Sequence, residues 1–417
     1  MKTMAPSEAA RENVSPGLFD RLTSTSEPAL QDLQEAAQLA LQVEFTTIPV
    51  YLSALYSISD TGSHVYQTLR SVAMEEMFHV NQAANIIVAL GALPKFTGDA
   101  VPTFPGYMPQ ANPKTTPMVG LFRASPDVFA NVFAAIESPS QYGAPPQGDN
   151  YDSIAQLYGA LVAAVDAYPG NPFSTTGVPG RQRTNIYLGK FGGNVNEVMD
   201  KESFHAAVNE IVEQGEGTVP PEKPLVPVES FGTYNHYGKR TDGTYGPILG
   251  TPYELSHFLK FREVALDSAN FPATLPIISN PDSSDYTNPQ AKRLSDSFDD
   301  HYSLMLHAFE ATFKAGDSDP YFSVVLSIMH RVLPHLARAL MSTPAFADGD
   351  SSVGPNAAPA WRYRSDTNRT FGELTQELED ELDQLSTSPR ENALRTHLKT
   401  ALAGDKEIVT SAKALGL

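Results

Sequence analysis

The chain has 417 residues, of which 41% are hydrophobic and 18% charged, so it can bury a sizeable core and is not a largely disordered polymer. It contains no cysteine, which excludes disulfides, thiolate metal sites and cysteine nucleophiles. A formal net charge of -19 opposes contact with nucleic acid or an anionic membrane, and no Lys/Arg run offsets it. Residues 1–14 carry Lys2, Glu8, Arg11 and Glu12 with no apolar centre, and no uninterrupted apolar run reaches membrane-spanning length. The expectation is a cytoplasmic protein with neither a nucleic-acid nor a membrane partner.

In chain order, the spacing first predicts a long helix over 27–57. Leu33, Ala37, Leu41, Glu44, Ile48, Tyr51 and Leu55 recur at intervals of three and four, so one glutamate interrupts an apolar stripe. Pro49 lies inside this helix, cannot donate to the carbonyl of Phe45, and should bend the helix close to Glu44. A turn with Asp60, Gly62 and Ser63 leads to a second helix over 64–90 that stops at Gly91 and turns Leu69, Val72, Glu76, His79, Ala83, Ile86 and Leu90 inward. So short a connection implies antiparallel packing.

Prolines and glycines are dense over 94–150, with only 127–136 helical in pattern. A helix follows over 153–168, then a loop to 193, then a helix capped by Asp200 and ended by Gly215 and Gly217. A loop rich in Pro, Gly and Tyr covers 218–250, of a length usual for lids and covering segments. A helix over 251–267 comes next, and the chain returns to helix over 288–314, 321–341, 370–385 and 390–415. No repeat of fixed period is visible. The chain therefore reads as all-α, with an N-terminal arm at 1–24, a bundle with inserted loops at 25–270, and a C-terminal helical region packed on it at 271–417.

Two Glu-x-x-His units carry the chemistry: Glu76-Met77-Phe78-His79 and Glu254-Leu255-Ser256-His257. Residues three apart share one helix face, so each unit aims a carboxylate and an imidazole at one point. Dinuclear carboxylate bundles combine two such units with a lone glutamate from each of two further helices. Glu44 supplies one. The other is sought on the helix between the two units, where Glu213, Glu210 and Glu216 are candidates; Phe204, Val208 and Ile211 define the apolar face, and Glu213 falls nearly opposite it. Carboxylates with imidazoles suit iron or manganese, with zinc a further option, and incomplete coordination leaves room for dioxygen. The bland alternative is solvated helix faces, against which stands the cost of burying Glu44, Glu76 and His79 on inward stripes without a cation.

Other candidates are weaker. His301 and His307, and His330 and His335, are spaced six and five apart, so neither pair points at one ion. Tyr51, two turns after Glu44, could donate a hydrogen bond into the site, and His236, between Tyr234 and Tyr237, could line an entrance. No phosphate loop, nucleophile elbow or dinucleotide fingerprint occurs.

Four blocks then resemble one known family. Glu44-Phe45-Thr46-Thr47-Ile48-Pro49-Val50-Tyr51-Leu52-Ser53-Ala54-Leu55-Tyr56-Ser57-Ile58, Val72-Ala73-Met74-Glu75-Glu76-Met77-Phe78-His79, Ile211-Val212-Glu213-Gln214-Gly215-Glu216-Gly217 and Glu254-Leu255-Ser256-His257-Phe258 are similar to the ferritin-like domain of iminophenyl-pyruvate dimer synthases. The blocks span about 30–267, with weaker similarity over 302–344. The resemblance implies a ferritin-like bundle holding two transition-metal ions, iron foremost, and it selects Glu213 over Glu210. It also implies secondary metabolism: an oxidase or oxygenase using dioxygen on an imine or amine derived from an aromatic amino acid, as in violacein and indolocarbazole assembly. The rivals are an iron- or peroxide-handling protein with the same ligands and a non-catalytic relative. Oligomerisation is compatible with all three.

Overall fold

The computed structural model describes residues 17–24, 27–139, 150–174, 177–186, 195–216, 255–316, 319–367, 369–386 and 391–416. Among these, eleven helices and a few single 3₁₀ turns make up the regular structure, and β-type pairing is confined to isolated bridges. The helices are α1 (Leu18–Ser24), α2 (Leu30–Ser57), α3 (His64–Ala89), α4 (Pro126–Ile136), α5 (Ile154–Ala167), α6 (Lys201–Gln214), α7 (His257–Leu266), α8 (Pro289–Thr312), α9 (Tyr321–Met341), α10 (Phe371–Gln384) and α11 (Asn392–Ala414). The short α1 lies in the stretch read from sequence as an arm.

Local chemistry sets the boundaries. Ser63 caps α3 by accepting from the Tyr66 amide, and Gly91 just past its end takes a φ of +83°, a conformation costly for any residue with a Cβ. Asp200 and Ser203 form a reciprocal capping box on α6, as do Thr370 and Glu373 on α10. Asn288 caps α8, where Pro289 occupies the first turn at no hydrogen-bond cost. Ser256 caps α7, so that helix starts at His257, six residues later than its sequence pattern suggested.

α2 and α3 pack antiparallel. Three glutamine side chains of α2 donate to carbonyls at and beyond the end of α3, Gln34 to Leu90 at 2.7 Å, Gln38 to Lys95 at 3.0 Å and Gln42 to Asp99 at 3.3 Å. Further along α2, Thr47 donates to Glu76 in the middle of α3 at 2.9 Å. α5 packs on α2, α6 and α7 pack on α3, α4 packs on α7, and one buried hydrophobic cluster continues from Leu18 to Ala412. The C-terminal helices join it through α9, which packs on α2, α8 and α11. The indole of buried Trp361 donates to Ser53 of α2 at 2.8 Å. α9 is the one described helix long and apolar enough to cross a membrane by length and composition, with mean hydropathy 1.2, and 56% of that window is buried inside the molecule.

Candidate metal centre

The ionisable groups predicted on the inward stripes of α2 and α3 are indeed buried together. Glu44, Glu76, His79 and His257 are each no more than 2% exposed. Glu76 stands at the middle. Its Oε1 is 2.7 Å from His257 Nδ1, and its Oε2 accepts from Thr47 at 2.9 Å and lies 3.6 Å from His79 Nδ1. Glu44 Oε2 is 3.5 Å from the same His79 nitrogen. One ligand atom from each of Glu76, His79 and His257 lies within 4.8 Å of the others, a spacing that admits a single ion. The two imidazoles stack at 5.4 Å and 27°.

Both rings are oriented from behind. His79 Nε2 meets the Gln214 amide oxygen at 2.9 Å, and His257 Nε2 meets Glu75 Oε2 at 2.8 Å. Each acceptor holds a hydrogen on Nε2 and leaves Nδ1 facing the carboxylates, the arrangement by which ligand histidines are usually fixed. Glu75 is itself gripped by Lys260, whose ammonium donates to both carboxylate oxygens at 3.1 and 2.7 Å. This buried ion pair is one helical turn after His257, so α7 carries both a ring and the support for it.

Sequence reasoning missed Glu137. It follows α4 and is buried, its Oε1 accepting from the Tyr51 hydroxyl at 2.5 Å and lying 3.8 Å from His257 Nδ1. The available signal was a lone glutamate closing an apolar run, Phe129 to Ile136, just before Ser138-Pro139. Phe133 and Phe261 pack edge-on against Tyr51 at 5.0 and 5.1 Å, making a dry aromatic wall on this side. The hydrogen-bonding role read for Tyr51 is thus exercised on Glu137.

The third-helix expectation is corrected. Glu213 is exposed, because Phe204, Ala207, Val208 and Ile211 turn inward and place it on the solvent face of α6. The side chain of that turn that reaches the cluster is Gln214. Glu210 faces Asn196, whose amide donates to it at 3.3 Å, and buried Glu216 accepts from the Ala155 amide at 2.7 Å. Glu254 and His236 lie outside the described residues.

The electrostatics are those of anions enclosed without enough positive charge. Burial pushes Glu44 up to about 7, partly offset by its contact with His79. Glu76 is also penalised by burial, but His79 and His257 outweigh this and hold it well below the usual carboxylate range. Burial would lower the pKa of His79, yet the Glu76 charge and contacts with Glu44 and Glu76 raise it to about 10. His257 is likewise raised against burial, by Glu137, Glu75 and Glu76. In the metal-free chain, protons on the imidazoles supply the missing cations.

Two buried atoms of this cluster nevertheless make no hydrogen bond, Glu44 Oε1 and His257 Nδ1. The second is 2.7 Å from a carboxylate oxygen without the angle for a bond. Unpaired polar atoms at such depth are costly unless a partner of another kind meets them. Three carboxylates and two imidazoles are a donor set for first-row transition metals, and these residues fit one.

A family model described as Ferritin-like matches residues 37–266, more than half of the chain and the stretch that carries every residue of this cluster. The chain belongs to the ferritin-like family. The ferritin-like match takes in α7 as well as the α2–α3 pair, so it ends just where the last cluster helix ends. A ferritin-like protein from Caulobacter vibrioides, solved as a crystal structure, superposes with a TM-score of 0.53 at 19% identity, covering 81% of this chain and 99% of the other. At that identity it supports the fold and no more. No curated protein matches the sequence. The ferritin-like assignment accounts for the order in which α2 and α3 bring one glutamate and then a Glu-x-x-His unit.

Proposed function

We propose that this ferritin-like chain is a transition-metal oxidoreductase whose dinuclear, iron-class centre is held by Glu44, Glu76, His79, Glu137 and His257. The observation that carries the reading is the pair of unsatisfied buried atoms, Glu44 Oε1 and His257 Nδ1, on either side of Glu76. Beside three buried carboxylates and two imidazoles, a cation is the partner that would meet both atoms at once. When bound, an iron pair supplies the electrons that reduce dioxygen.

The protein's own contribution is positioning and exclusion. Gln214 and Glu75 lock the imidazoles, Thr47 holds Glu76, and Tyr51 holds Glu137. Phe133 and Phe261 keep water from the Glu137 side. Glu44, with its pKa near neutrality, can hold or release a proton at its free Oε1. The substrate class we propose is a small organic imine or amine of aromatic amino-acid origin, resting on the sequence resemblance to the dimer-synthase domains.

Metal content after purification without added metal, followed by dioxygen uptake of ferrous-loaded protein, tests this. Bound transition metal that is lost in a Glu76→Ala/His257→Ala variant, with rapid dioxygen consumption, supports the oxidase. Peroxide turnover or iron retention indifferent to any organic amine would favour an iron- or peroxide-handling protein instead. No metal under any loading condition would remove the ligand assignment.

A further inference from the structure

Met74, Met77 and Asn81, three and four residues apart, share a face of α3 beside the one that carries Glu76 and His79. The two methionines line a second cavity, of about 930 Å³, between α2, α3, α9 and α11. All three residues line an adjoining narrow recess of about 40 Å³ that reaches Ile48, Phe309 and Leu326, and Met74, Met77, Met329 and His330 are common to both spaces. The larger space is within the range of small-molecule sites. Its polar lining is mixed: Thr61, Gln67, Tyr56 and Tyr66 stand beside Arg70, which already has a partner, and Arg338, which donates to the Ile58 carbonyl at 3.1 Å. His335 of α9 and His397 of α11 meet there, Nδ1 to Nδ1 at 3.1 Å. Among the described residues no Asp or Glu lines either space. α9 is wound as a π turn over Ile328–Val332, which takes one more residue into the turn than an α-helix and brings His330 round to the cavity that His335 faces. Such turns concentrate at functional sites.

Asn81 belongs to the recess and sets what can end there. It is 3% exposed, its Nδ2 donates to the Arg183 carbonyl at 3.0 Å, which fixes the way the amide faces, and its Oδ1 has no partner. A bare amide oxygen at that depth is costly, so a group that donates a hydrogen completes the recess. A carboxylate brings only acceptors to that oxygen. An ammonium can donate, but it would enter beside Arg70 and Arg338 with no described carboxylate to balance it. Burial, and after it the neighbouring charges, already hold His330, His335 and His397 below the ordinary imidazole range, His397 at about 4. A neutral hydroxyl meets neither objection.

We infer that cavity and recess form one binding site for a neutral aromatic alcohol, its ring on the methionine wall and its hydroxyl carried down the recess to donate to Asn81 Oδ1. Flexible thioethers suit an aromatic ring. The arm that carries the hydroxyl is short, because a recess of this size admits about three heavy atoms when a single water needs roughly 10–15 Å³. None of the metal-cluster residues lines either space, so the site does not depend on bound metal.

The test is calorimetric titration of the full chain with 2-phenylethanol, its methyl ether and phenylacetate, alongside NMR of the methionine methyl groups. Saturable binding of the alcohol is expected, with shifts of the Met74, Met77 and Met329 methyls. The ether, which keeps the shape and lacks the donor, should bind about tenfold more weakly, and so should the alcohol to Asn81→Ala. Glu76→Ala/His257→Ala should bind the alcohol as wild type does. Should Asn81→Ala fail to fold through loss of its bond to Arg183, the alcohol and ether on wild type and the methyl shifts still decide. Absence of saturable alcohol binding overturns the proposal, as does an ether or phenylacetate that binds as tightly, unshifted methionine methyls, or loss of binding in a folded metal-site variant.

Discussion

His257 presents its Nε2 to the Glu75 carboxylate at 2.8 Å, across 182 positions of sequence, and so aims its other nitrogen at Glu76. Substituting Glu75 by Gln keeps the size but weakens the acceptor and removes the charge that Lys260 faces. Loss of such a supporting acceptor lowers metal affinity by roughly 10–100-fold. Competition with a chelator should show that loss while circular dichroism keeps the helical content.

Glu137→Ala should lower metal content sharply, whereas Glu213→Ala should leave it at the wild-type level, since one is buried beside His257 and the other is exposed. Elemental analysis of both variants prepared in parallel decides between the two glutamates. Equal losses would return the third-helix position to Glu213.

Metal uptake should release protons. His79 is raised to about 10, so at neutral pH the metal-free ring is charged and must give up its proton to become a ligand. Affinity should therefore climb with pH across the neutral range, and calorimetric heats at pH 7 should scale with the ionisation enthalpy of the buffer. Buffer-independent heats would mean that the imidazole is neutral beforehand.

Away from the centre, His301 and Asp405 form a fully buried pair at 2.9 Å between α8 and α11. Removing one partner from such a pair costs about 3–5 kcal/mol, so His301→Ala should lower the urea midpoint substantially. Burial opposes the charged ring, but Asp405 raises its pKa above the ordinary 6.5. The stabilisation is then complete below pH ~6.5, the unfolded value, and is lost as pH rises through the folded value. The stability gap between wild type and variant should accordingly narrow at high pH, to what the lost ring volume and hydrogen bonds leave.

Trp361→Phe removes the donor to Ser53 while keeping most of the ring. Leaving a buried hydroxyl without its partner costs about 1–3 kcal/mol. Chemical denaturation should register this as a loss of stability without loss of metal, because Ser53 does not touch the cluster.

Most helices were legible because period, caps and breakers are local. α3, α5, α6, α8, α9, α10 and α11 begin and end within about two residues of their sequence reading, each bounded by a cap, a glycine or a proline. α7 was not, since Ser256 supplies a cap inside what looks like continuous helix, and the choice between the two starts depends on where the preceding chain is held. Within the site, the burial of Glu44, Glu76 and His79 was legible because each interrupts an apolar stripe, which helical spacing turns inward. Glu213 shows the reverse case: periodicity set it opposite the apolar face, the resemblance pulled it inward, and the structure agrees with the periodicity.

By itself, then, the sequence determined that helices form, which of their faces are buried, and that a glutamate and a Glu-x-x-His unit share an interior. Those are properties of 3.6-residue spacing and of the cost of burying charge. Only the tertiary structure decided which distant groups complete that interior: Glu137 at the end of α4, Gln214 and Glu75 behind the two rings, and the histidine pair that α9 and α11 bring together across the second cavity. No local rule records such partners, because a carboxylate at a helix end looks the same in sequence whether the fold turns it toward water or toward a buried imidazole.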